Sequence, residues 1–278
     1  MTLDNIIDYL TLKNAELTED IIKEIEQLKE MAISNQDEIK ANQLWCLETI
    51  YFVQSKYINA YKNMKKAAVA CDELNKDGYD SEKSLLYEFA WNLVDQCDIQ
   101  IGFLEENYCI DKVSIESFRI YDILEDIKRI TPLFPYKLFT SRELIVKKQR
   151  CSICGRDISI RTPCPHKKGK LYMGEMCCHE ITDWTFLNLN LVTNPFDKYA
   201  ICKFQGNRFD FSLLDYIIPL INPYSKWFYT VNEELLPEYR NIEKNDPCPC
   251  GSGINYIQCL SLNKDRHYRK KYSFKIAK

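Results

Sequence analysis

Chemistry in this chain concentrates where thiols and imidazoles crowd together. Of its thirteen cysteines, Cys46, Cys71, Cys97 and Cys109 stand singly in the first half and Cys202 stands alone further on. The others fall within Cys151–Cys178 and Cys248–Cys259, and all three histidines, His166, His179 and His267, lie in or just beyond those two groups. Thiolate and imidazole at short spacing are the ligand chemistry of zinc. A cytosolic chain, as this one reads, has no use for so many thiols as a disulfide framework.

The first group is "CSICGRDISIRTPCPHKKGKLYMGEMCCHE". Cys151 and Cys154 make a C-x-x-C followed by Gly155, a knuckle in which a tight turn brings two thiolates to one ion while backbone amides point at the sulfurs. Cys164, His166, Cys177, Cys178 and His179 supply further donors, more than four positions need. Cys151, Cys154, His166 and Cys177 are the preferred ligands, with Cys164 as the main competitor.

The second group is "NDPCPCGSGINYIQCL". Its C-P-C-G-S-G run, the aromatic Tyr256, and Cys259 placed after an eight-residue spacer from Cys250 resemble the SEC-C motif. That motif is the short zinc-binding module at the carboxyl end of the preprotein-translocase ATPase. The resemblance covers about twenty residues and implies that the C-x-C pair and two adjacent residues after the spacer hold one zinc. Cys248, Cys250 and Cys259 match three of these positions. Leu260 stands at the fourth and cannot coordinate. Three readings follow: His267 completes a Cys3His site through a wider loop, which is preferred; another residue or a partner completes it; or the module is degenerate and binds metal weakly. In the translocase the module engages a chaperone and lies near the ribosome, so the resemblance implies a protein partner of that kind or an effector protein.

Other chemistry is poorly represented. There is no P-loop, GxGxxG, G-x-S-x-G or H-E-x-x-H pattern. His179 followed by Glu180 is the one place where a histidine and a carboxylate beside a zinc knuckle suggest a hydrolytic or ββα-metal nuclease site. The final stretch "NKDRHYRKKYSFKIAK" interleaves basic and aromatic side chains, which suits either a nucleic-acid contact or, more simply, a solvated tail. A net charge of -3 and a pI near 5.8 provide no global basic field for nucleic acid or membrane.

The elements that must position these groups change character along the chain. Residues 1–131 carry no proline and only Gly78 and Gly102, and their apolar residues recur at helical spacing: Ile21, Ile25, Leu28 and Ala32; Ile39, Cys46, Ile50, Val53 and Tyr57; Trp91, Val94, Cys97 and Ile101; Ile120, Leu124 and Ile127. Thr18 reads as one N-cap and Asn35 with Glu38 as a capping-box-like start for the next helix. Cys46 and Cys97 on these stripes read as packed thiols. After Pro132 and Pro135, "RELIVKK", "DISIRT" and "YAICKF" read as short strands and "FLNLNLV" as a half-buried one, with a helix from about Asp210 and a polar linker over 238–246. "FSLLDYIIPLINPYSKWFY" is too interrupted by charge and proline to span a membrane.

The expectation is therefore an α+β multidomain protein: an all-α helical bundle over 1–131, a β-rich zinc-binding domain over 132–240 and a SEC-C-like zinc module with a basic tail over 241–278. Two Zn2+ sites and a cytoplasmic location go with it. The expected role is that of a non-enzymatic adaptor or regulatory protein of bacteria or their mobile elements. A zinc-dependent nucleic-acid-binding protein or nuclease is the alternative.

Overall fold

A computed structural model of the chain describes residues 2–11, 18–159, 161, 163–195, 198–262 and 264–277. Its fold is mixed α+β, with helices first, a strand-containing middle and a carboxyl-terminal Cys/His region, as the sequence suggested. It divides into two compact units, Met1–Tyr224 and Ser225–Lys278.

In the first unit, α1 (Leu3–Thr11), α2 (Glu19–Ser34), α3 (Glu38–Val69), α4 (Glu82–Asn107) and α5 (Ile120–Ile130) form the helical bundle. The 32-residue α3 is its centre, burying Leu44, Leu47, Ile50, Val53, Tyr57 and Met64. Two local expectations fail at the start of α3. Asn35 closes α2, and the cap is Asp37, whose side chain accepts from the Lys40 amide at 3.0 Å. Ile39, in the first turn, is 73% exposed, so the buried stripe starts at Ala41.

Polar groups also hold the bundle together. Asp126 on α5 is 2% exposed and accepts from the hydroxyls of Tyr57 at 2.8 Å and Tyr61 at 2.5 Å, both on α3. Burial is the main cause of the strong upward shift of the Tyr57 hydroxyl, so it stays a donor. Removing a buried charged acceptor strands its donors. Asp126→Ala is therefore expected to lower unfolding free energy by about 3–5 kcal/mol, and Asp126→Asn by less. Urea unfolding midpoints of the two variants check this.

The chain then enters β1 (Phe139–Cys151), crosses the small hairpin of β2 (Leu171–Tyr172) and β3 (Glu175–Met176), and returns along β4 (His179–Val192). β1 and β4 pair antiparallel from Phe139↔Val192 to Cys151↔His179, with register shifts between Glu143/Leu144, Val146/Lys148 and Lys148/Gln149. The base of this ribbon is tied to the bundle, where Phe139 stacks on Trp91 with ring centroids 6.2 Å apart. "FLNLNLV" is a strand but not a half-buried one: Leu187, Leu189 and Leu191 are each at least half exposed, since none of the described residues covers them. "DISIRT" contributes only the bridge Arg150↔Asp157, and its Ile160 and Thr162 lie outside the described residues. "YAICKF" contributes the bridge Phe139↔Ile201. α6 (Ser212–Ile217) follows, near where a helix was expected, and Asp215 on it accepts from Tyr87 at 2.7 Å and from Lys83 at 2.6 Å.

In the second unit, β5 (Trp227–Leu235) pairs antiparallel with β6 (Tyr268–Ile276), and α7 (Tyr256–Leu262) lies between them in sequence. The basic terminal stretch is thus a strand, not a solvated tail. Its pairing with an acidic stretch explains this: Glu234 lies opposite Arg269, whose guanidinium donates to it at 3.0 and 3.2 Å, and Glu233 opposite Lys270. Nor is 238–246 only a linker, since Tyr239 is buried against Cys248 and Cys259. Among the described residues, no helix is long and apolar enough to cross a membrane.

Candidate metal centres

The middle centre forms where β1 ends. Cys151 is the last residue of β1, fully buried, and the chain turns immediately: Gly155, at φ 69°, donates its amide to the Cys151 carbonyl at 2.9 Å, which brings Cys154 back toward the strand end. The ring of His166 stands edge-on to Tyr172 at 4.6 Å, and the Lys167 amide donates to the Tyr172 hydroxyl at 2.8 Å, so the β2 strand positions this loop. Donor atoms of Cys151, Cys154, Cys164 and His166 all lie within 4.8 Å of one another. Cys154 and Cys164 sulfurs are 3.3 Å apart, and His166 Nδ1 is 3.2 Å from Cys164 and 3.7 Å from Cys151.

Cys177, a preferred ligand on spacing, is buried with its sulfur 3.8 Å from that of Cys151, but it is not one of this mutually close foursome; Cys164 is. Cys178 and His179 are not members either. Cys178 is exposed and its amide donates to Ser152 Oγ at 2.9 Å; His179 begins β4 opposite Cys151. Glu180 accepts from Arg150 at 2.6 Å.

Two contacts that spacing gave no sign of hold this loop against the bundle. Gly174, at φ 76°, donates its amide to the side-chain oxygen of Asn42 on α3 at 2.8 Å, and a Cβ there would meet the Ala41 carbonyl at 3.0 Å. Asn107 at the end of α4 donates to the Gly169 carbonyl at 2.9 Å. The only hint was that polar Asn42 interrupts an otherwise apolar helical stripe.

The carboxyl-terminal centre is more enclosed. A turn through Gly251, at φ 75°, and the bridge Pro247↔Asn255 present Cys248 and Cys250; the Asn255 side chain accepts from the Gln258 amide at 3.0 Å and starts α7, which carries Cys259. His267, just before β6, is fully buried, with its ring edge-on to Tyr239 at 4.6 Å. Its Nε2 is 3.1 Å from the Cys248 sulfur, and the Cys250 and Cys259 sulfurs are 3.2 Å apart. All four donors lie within 4.8 Å of one another. From beyond α7, His267 brings a donor close enough to take the position that Leu260 cannot fill.

The electrostatics of both centres fit a cation. Burial pushes the Cys151 thiol up, but the amides of Cys154 and Ile153 and the thiols of Cys164 and Cys177 outweigh it and hold it at about 6. Cys177 is pushed up to about 11, by burial and then by Cys151. In the second centre Ser252, Cys259 and Cys248 hold Cys250 at about 6, while burial and its neighbours push Cys248 up to about 11. In each centre one thiol is thus held down while a neighbour is pushed up, the pattern of crowded thiols that share negative charge. Zinc bound by thiolates at about 2.3 Å in a tetrahedron would separate the sulfurs by about 3.8 Å. Within the two groups the Cys154–Cys164 and Cys250–Cys259 sulfurs are 3.3 and 3.2 Å apart, somewhat inside that edge. Each Cys/His cluster can therefore hold a metal ion, and the donor chemistry is that of Zn2+ at two sites.

Comparison with known families agrees at one of the two. The SEC-C motif matches residues 245–259, and no family matches the rest of the chain. The match ends at Cys259, so His267 lies outside it. Searches of curated proteins and of solved structures find no match. The chain is thus a protein with two Cys/His clusters compatible with zinc binding, one of which draws its three cysteines from a SEC-C motif.

Proposed function

We propose that the protein is a non-enzymatic, zinc-stabilised adaptor that binds a protein partner in the bacterial cytoplasm. In this reading Cys151, Cys154, Cys164 and His166 hold one zinc, with Cys177 in reserve beside Cys151, and Cys248, Cys250, Cys259 and His267 hold the other. The observation that carries it is that each centre offers four close protein donors rich in thiol. A zinc with four protein ligands is structural, whereas catalytic zinc keeps an open position. Glu180, the carboxylate best placed by sequence to act as a base, is committed to Arg150. Among the described residues no helix follows β4 before Ser212, which does not favour a ββα arrangement. The SEC-C match favours a protein as the partner, by analogy with the translocase.

The nucleic-acid reading draws on the aromatic row Trp227, Tyr229, Tyr272 and Phe274. Register weakens it. Tyr229 lies opposite Phe274, whereas Lys275 lies opposite Phe228 and Lys271 opposite Asn232. Alternation then puts these lysines on the face away from the row and leaves on the row's side Lys270, which lies opposite Glu233; a single-strand site needs cations and aromatics together on one side.

Affinity capture from the native host, with nuclease treatment, tests the proposal on the full chain and on Cys259→Ser. A protein partner that survives nuclease and is lost with Cys259→Ser is the expected result. Recovery of nucleic acid alone, falling steeply with salt, would replace this reading with the alternative.

A further inference from the structure

The β1–β4 ribbon carries a surface that neither metal centre uses. Residues opposite one another in an antiparallel pair share a face, as do residues two apart on a strand. Leu144 lies opposite Phe186, Val146 opposite Trp184, Arg142 opposite Leu189 and Thr140 opposite Leu191. One face therefore presents Leu144, Val146, Trp184, Phe186, Leu189 and Leu191, exposed by 36% to 60%. Leu144, Trp184 and Phe186 line a shallow concavity bounded by Pro195 and Ala200. The opposite face is largely polar, with Glu143, Thr185, Asn188 and Asn190, although the half-exposed Ile145 lies opposite Thr185.

A two-stranded ribbon is marginal in water unless a third strand, a second sheet or a helix covers its apolar face. Among the described residues no third strand or helix covers it. We propose that the face is covered by the same face of a second copy, related by a two-fold axis.

Three observations select a second copy. The face carries a single charge, Arg142, so it displays no pattern that a charged partner would complement. Two identical apolar faces are complementary to each other, which is what an isologous two-fold interface requires. The area also suffices: Trp184 and Phe186, aromatic side chains of roughly 150–250 Å2, and four aliphatic ones somewhat smaller, all about half exposed, leave on the order of 600 Å2 per copy to cover. Doubled, that is roughly 1,200 Å2, the lower end of the range for stable specific interfaces. The proposal is independent of the adaptor reading, since it concerns only this chain.

Sedimentation equilibrium of the zinc-loaded full chain tests it. At roughly 10 µM the mass of a dimer is expected, interfaces of this size spanning micromolar affinities and tighter. Trp184→Glu and Leu189→Glu are each expected to weaken association by about 30-fold or more, as for a central apolar anchor. Thr185→Glu, on the opposite face, is expected to leave the dimer intact. Zinc content, measured alongside, shows that each variant still folds. A monomeric wild-type chain at that concentration would overturn the proposal whatever the variants do. So would equal dissociation by Leu189→Glu and Thr185→Glu, which would place the contact elsewhere than on this face. Protection of the ribbon from hydrogen exchange only after another protein is added would likewise assign the face to that protein and refute self-association.

Discussion

His267→Ala is expected to lower bound zinc from two ions per chain to one and to unfold the carboxyl-terminal unit. The unit has few other resources. Among its described residues the buried ones are Trp227, Tyr239, Cys248, Cys259 and His267, and three of these belong to the Cys/His cluster. Structural zinc contributes apparent binding energy of about 10–16 kcal/mol in peptides of this size, far more than so small a core provides. The alanine removes the donor 3.1 Å from Cys248 and also the ring packed edge-on to Tyr239. His267→Cys, which retains a donor, is expected to keep the metal. Mass-spectrometric zinc analysis, with hydrogen exchange over 236–267, reads both effects. An unchanged count of two for His267→Ala would leave Cys248, Cys250 and Cys259 to bind without it.

A second large effect is expected from Cys154→Ser, which should release the zinc of the middle centre, while Cys178→Ser should leave it in place. Both cysteines are exposed, so burial does not separate them. What separates them is direction: the Cys154 sulfur lies 3.3 Å from that of Cys164, whereas Cys178 is not a member of the group. Loss of a thiolate ligand forfeits metal-linked folding energy on the order of 10 kcal/mol, against a few tenths for an exposed thiol elsewhere. Zinc content and thermal melts of the two variants check the contrast, and equal losses would contradict it.

Much of this was legible in the sequence, and the limits have physical causes. The helical bundle could be read because α3 and α4 bury residues at a period the helix itself imposes. The two metal groups could be read because thiols and imidazoles are scarce residues and ligand sets are local. His267 could be included because no other histidine follows Cys259. Choosing between Cys164 and Cys177 could not be settled that way, since the choice is set by the path of a loop around Gly155 and the β2–β3 hairpin. Alternation in "FLNLNLV" indicates a strand, but the register shift past Leu187 sets Phe186, not Leu187, on the face of Leu189 and Leu191. Nor does alternation say whether the chain contains anything to lay against that face.

The small latch between Gly174 and Asn42, with its companion between Gly169 and Asn107, ties the loop that carries the middle centre to the two longest helices of the bundle. Linkage follows from that attachment. An ion that binds the folded loop and not the unfolded chain stabilises everything that unfolds with the loop, in proportion to the logarithm of its free concentration. With zinc bound at this centre, helices that never touch the metal would melt at a temperature that rises with zinc supply, to the extent that they unfold together with the loop.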